Sequence, residues 1–448
     1  MKRPLRAYQW KAVERYLAGA RYLAAEQGLG KTLMAIEIAW QLKARKILYL
    51  CPASVKISIV SELKKWAPAS KFHLPTVERD VGTFRAYDGA PLWTIVNYDK
   101  ISRSPGMVRA LVAAGPYDLL VLDEAHLLKT PTTARTKAVF DKLAPAAKRV
   151  LPMSGTPMPN HAGELYAPLR ALAPEMLRHP KHDRMLTHIE FEDQYCQIDL
   201  RYIGGPRPVR TIKGSRNIAE LKKRIDGFFI RMTKAECLPE LPPLQFVTLP
   251  VSIGSADELK EMTDLLPPDA SDEEVMALLR SGDEHFARAL RMIGVAKAHA
   301  AVAYLREFML DNDAKIVLWA RHHDVIDLLM RELRDAGAVK IDGRCTDVER
   351  QNAIDAFLTK PAARVFIGQI NAAGTGLTLL NEHVQPRDVF FVESDFVPGN
   401  NLQAACRVHR IGAHDGVLAR MFVAQGVRLD MRVQEIINRK LEEIGELI

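Results

Sequence analysis

The string QGLGKT at Gln27–Thr32 has the residue types needed to grip a polyphosphate. Gly28 and Gly30 free the backbone so that successive amides can wrap phosphate oxygens. Lys31 can reach the outer phosphates, and the Thr32 hydroxyl can hold Mg²⁺. Ala25 stands where the general pattern G-x-x-x-x-G-K-[ST] has its first glycine, and a tight strand-to-helix turn with an incidental lysine would also fit. A second string, DEAH at Asp123–His126, puts two carboxylates at the end of the apolar run Leu119–Asp123. Open α/β sheets bind ligands at that end of a parallel strand. There Asp123 would orient Mg²⁺ and Glu124 would act as general base on the attacking water. The alternative is a helix N-cap with acidic residues in its first turn.

Three later strings can serve the same chemistry. MSGTPMPN at Met153–Asn160 closes another apolar run and can sense a terminal phosphate, although alone it is an ordinary turn. Gly374-Thr375-Gly376-Leu377-Thr378 is a second glycine-rich loop. QAACRVHRIG at Gln403–Gly412 sets Arg407 and Arg410 three apart, on one face if that segment is helical. Each guanidinium keeps its charge and can fork onto phosphate oxygens; a surface basic helix is the plain alternative.

These residues need a sheet to position them. Short β-branched runs at Ile47–Cys51, Trp93–Asn97, Leu119–Asp123 and Arg149–Met153 alternate with helical patterns such as Thr32–Lys43 and Ser54–Trp66. That alternation predicts a parallel sheet with helices on both faces. From about Asn160 to Leu310 the pattern is mostly helical, with proline-rich breaks at Leu238–Leu244 and Leu265–Asp269. The alternation resumes at Lys315–Trp319 and continues through Val339–Ile341, Arg364–Gly368 and Asp388–Glu393. The acidic stretch Asp272–Glu284 reads as a solvated helix face. Arg428–Leu447 carries apolar residues at helical spacing and predicts a terminal helix packed on the second α/β region. The expected fold is α/β, with lobe one at 1–160, helical insertions and a linker at 161–310, and lobe two at 311–448.

The chain has 448 residues, 48% hydrophobic and 26% charged, enough to bury ordinary cores in two or three domains. A run of eighteen apolar residues is missing, and the basic start MKRPLRAYQW has no apolar signal core behind it. The expectation is a soluble cytoplasmic protein, nucleoid-associated in a bacterial or phage setting. The five cysteines are scattered and never form C-x-x-C, which argues against a disulfide framework or zinc site. His322 and His323 have no cysteine companions at metal-ligand spacing. The net charge of +8 permits a polyanionic partner without demonstrating one.

Taken in order, these strings resemble the Swi/Snf-type DNA translocases of helicase superfamily two, over nearly the whole chain. LRAYQWKAV at Leu5–Val13 is similar to the adenine-sensing Q motif, with Gln9 as the matching residue. EQGLGKT, DEAH and SGTP match motifs I, II and III. Leu48–Trp66 and Ile95–Lys100 resemble motifs Ia and Ib. More diagnostic are LLKTPTTARTKAV at Leu127–Val139 and FFIRMTKAECLPELPP at Phe228–Pro243. Lys315–Leu329 and Ile341–Phe357 resemble motif IV and its sequel, and ARHH at Ala320–His323 resembles the annealing-helicase (HARP) branch. Ala413 stands where the family usually has Gln, Gln27 replaces a commoner Met, and the expectation is a bare motor without that branch's accessory modules before Leu5.

The resemblance implies two RecA-like lobes with helical insertions between them, a C-terminal helix, and ATP with Mg²⁺ bound between the lobes. Lys31, Asp123, Glu124, Arg407 and Arg410 would carry catalysis. Gln9, Gln27, Gly28, Gly30, Lys31, Thr32 and Gly376 would bind the nucleotide, with Thr32 and Asp123 on the metal. Lys56, Lys100, Lys129, Arg135 and Thr375 would contact DNA, although a solvated surface charge is an equal reading for any single lysine. The implied activity is ATP hydrolysis coupled to translocation on double-stranded DNA, branched or forked DNA included. It would serve remodelling, annealing, repair or displacement of bound protein. The motor would be monomeric, away from membranes, with targeting left to a protein partner. An RNA-directed or strand-separating helicase, a nucleotide-gated binding module and a partner-dependent subunit remain alternatives.

Overall fold

The computed structural model describes residues 5–82, 89–158, 161–201, 209–253, 272–281, 283–373 and 377–447. The chain divides into two compact units, Met1–Cys237 and Leu238–Ile448. Each is a parallel sheet flanked by helices, so the α/β class and RecA-like plan expected from the sequence are present.

In the first unit the strands are β1 (Tyr22–Ala25), β2 (Lys46–Cys51), β3 (Lys71–His73), β4 (Leu92–Asn97), β5 (Leu119–Leu122), β6 (Val150–Ser154) and, after the antiparallel hairpin β7 (Cys196–Arg201) and β8 (Val209–Ser215), β9 (Phe229–Met232). The sheet order is β3-β4-β2-β5-β6-β1-β9, and each pair is parallel. Strands covered on both faces read as continuous apolar runs, which is why YLAA and LLVL are buried throughout. The register sets Leu48 beside Leu120, Tyr49 beside Val121 and Leu50 beside Leu122. Side chains alternate along a strand, so Leu48, Leu50, Leu120 and Leu122 enter one core with Phe140 and Leu143, while Tyr49 takes the opposite face.

The second unit orders β10 (Leu244–Val251), β11 (Ile316–Ala320), β12 (Val339–Ile341), β13 (Val365–Gln369), β14 (Asp388–Phe391) and β15 (Val417–Ala424) as β10-β15-β14-β11-β13-β12, again parallel. Central β11 serves both faces. Val317 and Trp319 enter one core, and Ile316, Leu318 and Ala320 enter the other with Ala298, Ala301 and Leu305 of the helix Glu284–Leu310. Gly368 pairs with Trp319, and a Cβ there would lie 2.2 Å from the indole, so the glycine makes room for the ring. The terminal helix spans Arg428–Leu447 and buries Leu429, Val433 and Ile436 in the second unit, as its spacing predicts.

The largest departure concerns 161–310. The helices there are interrupted by the hairpin β7-β8, by β9 and by β10, and the last two are edge strands of the two sheets. β9 has only four residues, and β10 is half-exposed and contains Pro250, so neither carries a strong strand signal. Their partners are also distant: β9 pairs with β1 and β10 with β15. The proline-rich break Leu265–Asp269 and part of the acidic stretch Asp272–Glu284 lie outside the described residues. Among the described residues, no helix is long and apolar enough to cross a membrane.

Candidate functional site

The phosphate loop leaves β1 at Ala25 and ends where α2 (Lys31–Gln41) begins. Gly28 and Gly30 take φ +87° and +82°, the left-handed backbone that glycine adopts without strain. Ala25 is still a strand residue, paired with Met232 of β9 and fully buried, so no glycine-only geometry is required there. Gly30 is the N-cap of α2, which turns the free amides of the first helical turn toward the loop. Lys31 Nζ donates to Ala25 O at 3.0 Å and lies close to Glu26 O at 3.5 Å.

The loop is braced from two sides. Gln9, on α1 (Ala7–Leu17), is buried; its Nε2 donates to Leu29 O at 3.0 Å and its Oε1 accepts from Arg6 N at 2.9 Å. A Cβ on Gly30 would sit 2.5 Å from Gln9 Nε2, so a side chain there would displace the Gln9 amide from its place against the loop. On the other side, Glu26 N donates to Met232 O and Glu26 Oε2 accepts from Lys234 N at 3.0 Å. The string FFIRMTK, read as a connector, therefore supplies the strand that flanks the loop. Gly155 of SGTP abuts Gln27, with a Cβ position 3.2 Å from Gln27 Cγ.

β5 delivers Asp123 and Glu124 one strand away from β6. Asp123 is buried; Tyr49 Oη donates to its Oδ2 at 3.2 Å, Glu124 N to its Oδ1 at 3.1 Å, and Tyr98 Oη to its carbonyl at 2.8 Å. Burial first, and the neighbouring Glu124 charge next, push the Asp123 carboxyl up to about 6, against a lowering by Lys31. Glu124 has φ +48°, an uncommon value for a residue with a Cβ, and such strain concentrates at functional turns. From Glu124 a polar chain runs to the SGTP turn. His126 Nδ1 lies 3.3 Å from Glu124 Oε2 and 3.0 Å from Ser154 Oγ, and Ser154 Oγ accepts from Thr156 N at 3.1 Å. His126, Ser154 and the tyrosines were not singled out from the sequence. The histidine of DEAH and the serine of SGTP were the available signals.

The donor set suits Mg²⁺. Thr32 and Asp123 offer hard oxygen ligands, and two adjacent carboxylates in a buried site hold negative charge that a divalent cation would balance. When bound, Mg²⁺ supplies charge neutralisation for the phosphate oxygens.

In the second unit the helix Pro398–Ala405 ends before Arg407, so Arg407 and Arg410 lie on a turn rather than on a helix face. They converge all the same. Arg407 Nη1 and Arg410 Nη1 donate to Leu377 O at 3.2 and 3.3 Å, and Arg410 also reaches Thr378 Oγ1. Arg407 is buried and its Nε donates to Gln403 O at 3.0 Å. Buried His409 meets Pro242 O at 2.7 Å, a further tie that the sequence did not suggest. Thr375 and Gly376 lie outside the described residues.

The candidate DNA contacts have partners within the chain. Lys100 Nζ donates to Pro75 O and Thr76 O at 3.0 Å. Lys129 Nζ meets buried Glu164 at 2.6 Å. Arg135 pairs with Asp99 at 3.1 Å, bonds Ser102 Oγ at 3.2 Å and stacks over Tyr98. Lys56 is half-buried at the start of α3 (Lys56–Trp66).

The model of the SNF2-related domain matches residues 9–259. DNA annealing helicase and endonuclease ZRANB3 of Mus musculus is 28% identical over 444 residues, covering 96% of this chain and 39% of that protein. The SWI/SNF-related matrix-associated actin-dependent regulator of chromatin subfamily A-like protein 1 homolog of Caenorhabditis elegans is 30% identical over 438 residues, covering 96% and 59%. The chain thus spans about two-fifths to three-fifths of the length of these relatives. Among solved structures, the Sulfolobus solfataricus SWI2/SNF2 ATPase core in complex with dsDNA aligns with TM-score 0.44 at 20% identity, covering 100% of this chain and 93% of that one. Since the matched region is more than half of the 448 residues, the chain belongs to the SNF2-related family.

Proposed function

We propose that this chain is a DNA-dependent ATPase that translocates on double-stranded DNA, in the cytoplasm or at the nucleoid. The observation that carries the reading is the meeting of Lys31, Asp123, Glu124 and the His126–Ser154 contact at the carboxyl ends of β1, β5 and β6. Amides of the loop and Lys31 bind the phosphates. Thr32 and Asp123 are the residues that would hold Mg²⁺. Glu124 accepts the proton of the attacking water, and His126 links that carboxylate to the SGTP turn, a route by which loss of the terminal phosphate reaches other contacts. Arg407 and Arg410 are proposed as the counter-charge for the transferring phosphoryl group, a role worth roughly 10³–10⁵ in rate where it operates. Their support is the anchored, permanently charged pair on Leu377 O.

DNA as the track is supported by the name of the ZRANB3 relative and by the net charge of +8, and its duplex form by the family resemblance of Leu127–Val139 and Phe228–Pro243. Lys56, Lys100, Lys129, Arg135 and Thr375 are proposed contacts to its backbone. Branched DNA, a monomeric working form and a targeting partner belong to the same proposal. The test is ATP turnover with duplex DNA, single-stranded DNA and RNA, beside displacement of a triplex strand, with Lys31→Ala as control. Stimulation by duplex and triplex displacement by wild type alone are expected. Turnover indifferent to duplex DNA, or best with RNA, would refute the assignment.

A further inference from the structure

We propose that Tyr49 is a positioning residue that holds the Asp123 carboxylate in the orientation needed to take Mg²⁺. The inference rests on the nucleotide site proposed above and adds a residue to it. Tyr49 lies in the middle of β2, in the run Ile47–Cys51, where every other residue is apolar or a thiol. As a core filler it would need no hydroxyl, and burying one without a partner costs free energy. The register explains where the hydroxyl goes. Tyr49 stands beside Val121, and Asp123 follows Val121 by two, so both side chains emerge on the same face of the sheet. That face is opposite the core entered by Leu48 and Leu50.

The phenol is fully buried and its ring packs against Trp93, 6.3 Å between centroids. Its Oη donates to Asp123 Oδ2 at 3.2 Å and also meets the Thr32 hydroxyl. The one hydroxyl therefore touches both side chains that offer oxygen to the metal. Glu124 N occupies Asp123 Oδ1 at 3.1 Å, so the carboxylate is fixed through each oxygen and retains lone pairs for a cation or its water. This is the arrangement by which outer partners orient a metal-binding carboxylate. The neighbouring buried tyrosines act elsewhere: Tyr98 on the Asp123 carbonyl, Tyr22 on Ser154.

Tyr49→Phe preserves the ring and removes only the hydroxyl. The measurement is calorimetric binding of ADP to the full chain, once with Mg²⁺ and once with EDTA, alongside the melting temperature. Loss of one hydrogen bond to a charged group is expected to weaken Mg²⁺-ADP binding by roughly tenfold to a hundredfold, with ADP in EDTA unchanged. Mn²⁺ binding to the ADP complex, read by its paramagnetic resonance signal, should weaken in parallel. Equal affinities for wild type and variant under both conditions would overturn the inference, and so would equal weakening in Mg²⁺ and in EDTA, which marks a distorted loop. If the wild type bound ADP in neither condition, the nucleotide site itself would fall, and Tyr49's role with it.

Discussion

At the scale of the residue, the chemistry depends on keeping charge where folding disfavours it. Burial first, and the Glu124 charge next, oppose ionisation of Asp123 and push its carboxyl from an ordinary 3.8 up to about 6. A folded pKa raised in this way contributes stability that is complete below the ordinary value and lost as pH rises through about 6. In EDTA, Asp123→Asn is therefore expected to be more stable than wild type at about pH 7.5, by roughly 2–3 kcal/mol, with the gain gone near about pH 4. Urea unfolding at the two pH values checks it, and a gain that ignores pH would count against a strained carboxylate. The same variant should lose Mg²⁺-dependent nucleotide affinity, which is what a functional charge kept at the expense of stability predicts. Glu124→Gln separates binding from turnover: ATP affinity is expected to stay within about threefold while hydrolysis falls by roughly 10²–10⁴. Unchanged hydrolysis would remove Glu124 from the role of base.

At the scale of the element, the phosphate loop is held by its neighbours more than by its own residues. Gly30→Ala meets two obstacles, a left-handed φ of +82° and a Cβ 2.5 Å from Gln9 Nε2. The first costs about 1–2 kcal/mol and stays whatever surrounds it. The second is relieved if Gln9 is shortened. Gly30→Ala is thus expected to lower nucleotide affinity at least tenfold, and Gln9→Ser is expected to recover part of that loss when combined with it, a coupling that a double-mutant cycle measures. Strict additivity would show that the two residues do not share a brace. This part of the site was half legible in the sequence. QGLGKT, DEAH and SGTP stand out because the residue types that could grip a polyphosphate fall there in short runs, and their strands are continuous apolar stretches. Gln9 was visible as a motif residue, yet its hydrogen bond to Leu29 O depends on how α1 packs. Tyr49 was invisible, since a tyrosine in a buried strand reads as core until the register puts Asp123 beside it. β9, β10 and β15 were missed or read as linker because their pairing is long-range, and the spacing of Arg407 and Arg410 puts them on one face only if the segment is helical, whereas the chain turns there.

At the scale of the whole molecule, each unit has its own sheet and its own buried core, so damage to one should be visible there first. A buried ion pair in the second unit offers the sharpest case. Lys297, on the helix Glu284–Leu310, meets Asp430 Oδ1 at 2.8 Å and Phe422 O at 3.2 Å, and Asp430 Oδ2 accepts from Ala424 N at 2.8 Å. Both residues are buried, so the pair fastens that long helix and the terminal helix to β15. Lys297→Met keeps the aliphatic stem and strands the carboxylate, a loss of about 3–5 kcal/mol for a pair of this kind. Lys297→Met with Asp430→Asn is expected to recover much of it, because no charge is left uncompensated. Hydrogen exchange can read where the loss falls. Faster exchange is expected in β15 and in the helix Arg428–Leu447, with the amides of β1, β5 and α2 unchanged and ADP binding by the first unit retained. Exchange accelerated evenly along the whole chain would mean that the two cores unfold as one, and that the nucleotide site cannot be studied apart from the second sheet.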